Sequence, residues 1–327
     1  MNILYKGPFK DHIQNHVELR QAIGYKFDTE AANLKRFDRF TLEKYPEAPV
    51  LTKEIVLDWC KKRDYETRAN QLARTSVIRQ LGKYLNSIEI NAYIIPKGYY
   101  PKETQYIPYI YSIEELRRFF AETDKCRYCC ECPYRHLTMP VFFRMIYTCG
   151  LRVSEARLLK VSDVDLDNGI ITIRHSKKDK DRLIPMSSFL AERCRNYSTK
   201  VHPYPVAEDY YFPALNNKLM TRGNIYHNFR RFLWRAGISH GGRGRGPRIH
   251  DFRHTFATHC LKKWAEQGKD LTAYLPVLRT YMGHDSFNET AYYLRLTVDV
   301  FADVMQKVEI RYPGIIPALE RGINESH

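Results

Sequence analysis

Two segments of this 327-residue sequence carry side chains suited to work on a phosphate. In the first, Pro247-Arg248-Ile249-His250-Asp251-Phe252-Arg253-His254-Thr255-Phe256-Ala257, helical spacing places His250, Arg253, His254 and Ala257 on one face. A guanidinium grips two phosphate oxygens in a fork, and an imidazole moves a proton near neutral pH. A zinc-peptidase reading fails, because Asp251 and Phe252 stand in the middle of what would be H-E-x-x-H. The second segment is Tyr281-Met282-Gly283-His284-Asp285-Ser286-Phe287-Asn288-Glu289-Thr290-Ala291-Tyr292-Tyr293. Here Gly283 suits a left-handed helix end, and Ser286 with Glu289 has the form of a capping box that opens a further helix. His284 is thereby held at a junction, and Tyr293 lies about two turns into the next helix. Taken alone, each segment also fits ordinary helix packing.

Lysine and arginine number 52 against 37 acidic residues, a formal charge of +15. Such an excess favours a polyanionic partner, because neutralising phosphates releases their counterions. Charge alone does not separate DNA from RNA or from anionic lipid. Hydrophobic residues make up 44% and charged residues 27%, a globular balance. No apolar run approaches the ~20 residues of a membrane span, and the N-terminus has no signal-like apolar block, so a cytoplasmic protein without membrane association is expected. Of the eight cysteines, Cys126, Cys129, Cys130 and Cys132 crowd together ahead of His136. That spacing is compatible with a structural zinc or a redox pair, but ordinary reduced thiols are the expectation. Cys60, Cys149, Cys194 and Cys260 read as small buried residues.

Helices must position these groups. The first 95 residues read as wholly helical: one helix from near Lys10 to Gly24, and one from Thr29 to Tyr45 with Leu34, Phe37 and Phe40 inward. A third follows Thr52 with Ile55, Val56 and Trp59. A fourth runs from about Thr67 to Leu85, with Ile78, Leu81 and Leu85 inward and Arg68, Arg74, Arg79 and Lys83 on the polar side. That polar side is a candidate DNA-backbone grip. The proline-rich stretch from Pro96 to Pro108 reads as a linker. A capping box at Ser112 and Glu115 then opens a second domain. Within it, Pro140 to Tyr147 reads as a buried helix, with a short helix after Leu151. A hairpin follows: a turn at Asn168-Gly169, strands over Ile170 to Arg174 and Arg182 to Met186, and a charged turn from Lys177 to Asp181 between them. Helices dominate from about Asn224. The loop Gly241 to Gly246, with Arg243, Arg245 and nearby Arg248, is a second candidate for wrapping a phosphate backbone.

In chain order stand Cys149-Gly150-Leu151-Arg152-Val153-Ser154-Glu155, a hairpin lysine, His250-x-x-Arg253, Gly283-His284 and Tyr293. This series resembles the tyrosine recombinases, the phage integrase family. The resemblance spans the whole second domain. Cys149 replaces the threonine, or its neighbour, of the family's T-G-x-R-x-S-E-like box, and Phe252 stands where the family often has leucine. The family's lysine lies a few residues before an R-L-x-P strand. Counting back five from Arg182 in Arg182-Leu183-Ile184-Pro185 selects Lys177, with Lys178 and Lys180 as adjacent competitors. Its nucleophile usually follows the glycine-histidine by nine positions, which selects Tyr293 and leaves Tyr292 beside it.

The resemblance implies an α+β, mainly helical fold: a two-domain C-shaped clamp. It would comprise a helical core-binding domain (1–98), a linker (99–108), and a catalytic domain (109–327) with a small antiparallel sheet. It implies strand cleavage by Tyr293 to a 3′-phosphotyrosine with a free 5′ hydroxyl. Arg152 and Arg253 would stabilise the non-bridging oxygens, His250 would act as general base and Lys177 as general acid. His284 would hydrogen-bond near the phosphate, and Glu155 would orient Arg152. No ATP, metal or other cofactor is required. The expected partners are double-stranded DNA with inverted half-sites and further copies of the chain, a dimer per site and a tetramer in synapsis. The helix-like tail around Val300, Phe301, Val304 and Met305 would dock on a neighbour. The expected setting is the nucleoid, in mobile-element integration or excision, or in chromosome dimer resolution. The alternatives are a type IB topoisomerase-like relaxing enzyme and a non-catalytic DNA-binding protein.

Overall fold

The computed structural model describes residues 4–101, 107–174, 181–242, 246–295 and 310. The chain divides into two compact units, Met1–Tyr106 and Ile107–His327. Among the described residues the first is built on four helices: α1 (Lys10–Ala22), α2 (Asp28–Lys44), α3 (Lys53–Cys60) and α4 (Arg68–Ser87). Thr52 and Thr67 begin α3 and α4 as N-caps, their hydroxyls accepting from Ile55 and Asn70. The inward residues of α2 to α4 meet α1 through Ile13 and Val17 in one apolar core that includes Leu34, Phe37, Val56, Trp59 and Leu81. The segment before α1 is pinned by the Asp38 carboxylate, which accepts from the backbone N–H of Lys6 and Gly7, both at 2.8 Å. A side chain at Gly7 would come within 2.7 Å of the Asp38 carbonyl oxygen, so only glycine fits there.

The polar side of α4 is not the free basic face that helical spacing suggested. Arg74 is buried, its guanidinium paired with Glu66 at 2.7 Å and also donating to the carbonyls of Trp59 and Lys61. This is a correction to its assignment as a DNA contact, since its donors close the end of α3. Arg79 donates to the carbonyls of Ile95 and Pro96, and Arg68 to Gln71. A helical wheel shows which way a side chain leaves its helix, but not what the loops bring to meet it.

The second unit opens with α5 (Ile113–Asp124), capped by the Ser112–Glu115 box. Next comes α6 (Arg135–Thr148), which begins a full turn before Pro140 and buries nine consecutive residues from Thr138 to Ile146. The short α7 (Val153–Leu158) precedes a three-stranded antiparallel sheet, β1 (Val164–Asp165), β2 (Ile170–Ile173) and β3 (Arg182–Pro185), in the order β1-β2-β3. Ile171 opposes Ile184, and Ile173 opposes Arg182, so the hairpin carries Arg182 at the start of its last strand. Then follow α8 (Ser188–Val201), α9 (Arg222–Arg235), α10 (Asp251–Glu266), α11 (Leu271–Met282) and α12 (Phe287–Arg295). An aromatic cluster of Phe119, Phe143, Phe229, Phe232 and Phe252 joins α5, α6, α9 and α10. Each such ring contributes on the order of 1.5–3 kcal/mol by leaving water, so Phe252 fixes the start of α10 firmly. A second cluster, including Leu261, Leu275, Leu278, Met282 and Leu294, packs α10, α11 and α12 together. The architecture is thus mainly helical with a small antiparallel sheet, as the sequence led one to expect.

Candidate active site

The end of α11 organises the site. Gly283 terminates that helix at φ 63°, and Tyr281, Met282 and Gly283 leave three successive backbone carbonyls at its C-terminus. Each is taken by a different arginine: Arg182 Nε donates to Tyr281 at 3.1 Å, Arg253 Nη2 to Met282, and Arg152 Nη2 to Gly283 at 3.1 Å. Unpaired carbonyls at a helix C-terminus carry partial negative charge, so cations collect there without mutual pairing. Glycine is required at this corner, because a Cβ on Gly283 would lie 3.0 Å from the Arg182 guanidinium in a backbone conformation that side chains disfavour.

A carboxylate completes the arrangement. Glu155, nearly buried on α7, accepts from Arg152 at 2.7 Å and from Arg182 at 2.8 and 3.1 Å. It also closes the N-terminus of α7 by accepting from the Arg152 backbone N–H. Burial acts to raise its pKa, but the Arg182 hydrogen bonds and charge outweigh it and hold the carboxyl at about 2. Arg253 lies in the interior, and its other terminal nitrogen donates to Gly150 at 2.6 Å. Desolvation and the Arg152 charge lower its pKa to about 10, which still leaves it cationic at neutral pH. Gly150 adopts φ 58°, and a Cβ there would collide with the Phe256 ring at 2.6 Å. The turn before Arg152 therefore depends on glycine.

Tyr293 on α12 is 2% exposed, with its ring 5.8 Å from that of His284 and 5.5 Å from that of His254. Its phenol oxygen lies 3.1 Å from His254 Nδ1. Desolvation raises its pKa to about 12, against an opposing pull from Arg253 and Arg152. His284 follows the α11 corner directly and shares a 2.8 Å hydrogen bond with the buried Thr290 hydroxyl. Burial, then the charges of Arg253 and Arg152, lower its pKa to about 3. His250 sits at the N-cap of α10 rather than inside it, edge-on to His254 at 4.8 Å. Desolvation and then the neighbouring Arg253 and Arg152 push its pKa below the usual histidine range. The site thus joins a phenol, three imidazoles held neutral, and fixed guanidinium groups, a set matched to an attack on a phosphodiester.

Residues 113–299 match the model of the phage integrase family. The chain belongs to that family. An integrase/recombinase of Sinorhizobium fredii, y4rB, is 29% identical over 93% of this chain and 98% of its own length. Among solved structures, the XerH site-specific recombinase bound to a palindromic difH substrate is similar at a TM-score of 0.63. That match has 21% identity and covers 91% of this chain and 82% of the other. The Tn1549 transposon integrase in complex with transposon right-end DNA also reaches 0.63, at 14% identity, covering 92% and 99% respectively. At these identities the structural likeness is one of fold.

Against this family background, Arg152, Glu155, Arg253, His284 and Tyr293 come together in one place, with His250 at its rim. Lys177, Arg243, Arg245 and the tail around Val300 to Met305 lie outside the described residues. Arg248 is exposed, and its backbone N–H donates to Asp251. The four clustered cysteines are free thiols, and no His/Cys/Asp/Glu group among the described residues is arranged to hold a metal. Sequence reasoning missed Arg182 and Thr290 as members of the site. In the sequence Arg182 enters only as the reference point for Lys177, although a cation opening a strand is itself a signal.

The Glu155 carboxylate links the site to acid stability. Its folded pKa of about 2 lies below the ordinary 4.5, so its contribution is fully present above pH 4.5 and is lost as pH falls towards 2. A shift of this size corresponds to on the order of 3 kcal/mol. The melting temperature of the second unit should therefore drop across that window, and drop less steeply in Glu155→Gln. Superimposable pH dependences would contradict the pairing with Arg182.

Proposed function

We propose that this chain is a site-specific DNA recombinase that cuts and rejoins strands through a 3′-phosphotyrosine on Tyr293. The observation that carries the reading is the Tyr293 phenol, held 3.1 Å from His254 within the ring of Arg152, Arg253 and His284. In-line attack on a phosphodiester builds charge on the non-bridging oxygens. Arg152 and Arg253 supply forked donors to that charge, already oriented by Glu155 and by the carbonyls of Gly150, Met282 and Gly283. Lys177 protonates the departing 5′ oxygen, and one of the two histidines at the start of α10, His250 or His254, takes up the phenolic proton. The covalent bond conserves the phosphodiester energy, so rejoining to another 5′ hydroxyl needs no ATP, and the arginines do the work that a metal or other cofactor would otherwise do.

Duplex DNA is the partner. Besides the chain's net positive charge, the outer ridge of α9 supports this: Arg222, Tyr226, Arg230 and Trp234 recur every fourth residue and all are exposed, Trp234 at 80%. The helix contains no acidic residue, so its face offers cations and aromatic surface without a competing carboxylate. Inverted half-sites, a dimer on each and a tetramer in synapsis complete the proposal, which places the chain in the cytoplasm on nucleoid DNA, serving element integration, excision or dimer resolution. No helix among the described residues is long and apolar enough to cross a membrane.

The test uses a supercoiled plasmid carrying two copies of the DNA that flanks the chain's own coding sequence. Recombinant circles should form in the presence of EDTA and without ATP. Relaxed circles without recombinants would identify a topoisomerase-like enzyme instead, and unchanged plasmid, bound but uncut, a DNA-binding protein.

A further inference from the structure

The residues that the reaction needs include an acceptor for the phenolic proton, and beside the cationic Arg253 the structure places an imidazole directly on the phenol. His254 sits one helical turn beyond the cap residue His250, and its Nδ1 is 3.1 Å from the Tyr293 oxygen. We infer that His254, rather than His250, takes the proton of Tyr293 as the phenol attacks. The inference rests on reading the site as a tyrosine strand transferase.

The step balances as follows. The Tyr293 O–H bond breaks and its proton passes to His254 Nδ1, while the phenol oxygen forms a bond to phosphorus. The bond from phosphorus to the 5′ oxygen breaks, and that oxygen takes a proton from the ammonium that the proposed mechanism assigns to Lys177. Religation reverses both transfers. For Nδ1 to accept, His254 must be neutral with its hydrogen on Nε2. Its surroundings keep it neutral: burial first, then His250 and Arg253, hold its pKa at about 3.

The other groups that bear on this pair are His284, whose own pKa is lowered in part by His254, and Glu289 on α12, which acts on the phenol. With the site empty, a phenol near 12 does not give its proton to an imidazole near 3. An incoming phosphodiester adds a negative charge beside Arg253, offsetting the cationic part of what, after burial, depresses the imidazole. Transfer is therefore coupled to occupancy, and the buried phenol stays protonated until substrate arrives.

The experiment measures single-turnover covalent attachment to nicked duplexes tiling the DNA that flanks the coding sequence. In His254→Asn the amide oxygen stands where Nδ1 stood and keeps a hydrogen bond to Tyr293, but it cannot take the proton. Attachment should fall about 10²-fold or more at neutral pH, and between about pH 6 and 9 it should rise roughly tenfold per unit as hydroxide becomes the acceptor. Added imidazole should partly restore His254→Ala, which a misfolded chain would not show. His250→Asn should lack the hydroxide dependence. Wild-type rate and pH profile in His254→Asn would overturn the inference, as would hydroxide dependence appearing in His250→Asn instead. A wild-type chain that forms no adduct on any duplex would overturn the reading beneath it, a result distinct from either of these.

Discussion

Tyr293→Phe should abolish covalent attachment to DNA while leaving DNA binding and the fold in place. The ring packs within the cluster that joins α10, α11 and α12, and phenylalanine preserves that packing. What disappears is the oxygen that attacks phosphorus, with its hydrogen bonds to His254 and Arg253. Losing such bonds costs about 1 kcal/mol of stability each, too little to unfold a domain of this size. A nicked duplex that traps the intermediate should thus give a denaturant-resistant adduct with wild type and none with the variant, at matched occupancy in a binding assay. Loss of the adduct in Tyr292→Phe, with retention in Tyr293→Phe, would transfer the nucleophile to the half-buried neighbour.

The second large effect lies with the guanidinium groups. Arg152→Lys and Arg253→Lys should each slow single-turnover cleavage by about 10²–10³-fold, equivalent to roughly 3–4 kcal/mol of barrier, with little change in affinity for DNA. A lysine keeps the charge but not the two-pronged geometry. The two variants should differ in stability. Arg253 is buried and satisfies the carbonyls of Gly150 and Met282, so its replacement leaves at least one without its donor and lowers the melting temperature as well. Arg152 is partly exposed and shares its carboxylate with Arg182, so its replacement should leave the melting temperature closer to wild type. Cleavage at the wild-type rate in either variant would remove that arginine from the mechanism.

Tyr293, His284, Arg253 and Arg152 were legible because each sits at a fixed step from a glycine, a cap or a helix start, and local spacing survives folding unchanged. The helices of the first unit were legible for the same reason, with Thr52 and Thr67 marking two of their starts. What escaped was everything decided across the chain. Arg182 reaches Glu155 and the end of α11 from a strand nearly a hundred residues away from the carbonyl it caps. Arg74 fits a solvated face on a wheel, yet Glu66 and two carbonyls draw it inward. His254 was visible as a member of the α10 face, but its contact with Tyr293 exists only once α10 and α12 are packed. A local signal also overlooked was α8, where Ser187 caps a helix whose Leu190, Ala191, Cys194, Tyr197 and Val201 recur with helical spacing.

The atom joined to DNA identifies the nucleophile. Wild-type chain should be trapped on a nicked duplex from the flanking DNA, digested with protease and nuclease, and the nucleotide-bearing peptide sequenced by mass spectrometry. The expected product is a nucleotide attached through its 3′ phosphate to Tyr293, with a free 5′ hydroxyl on the released strand. A nucleotide on any other side chain, or a 5′-phosphate linkage, would contradict the proposed 3′-phosphotyrosine.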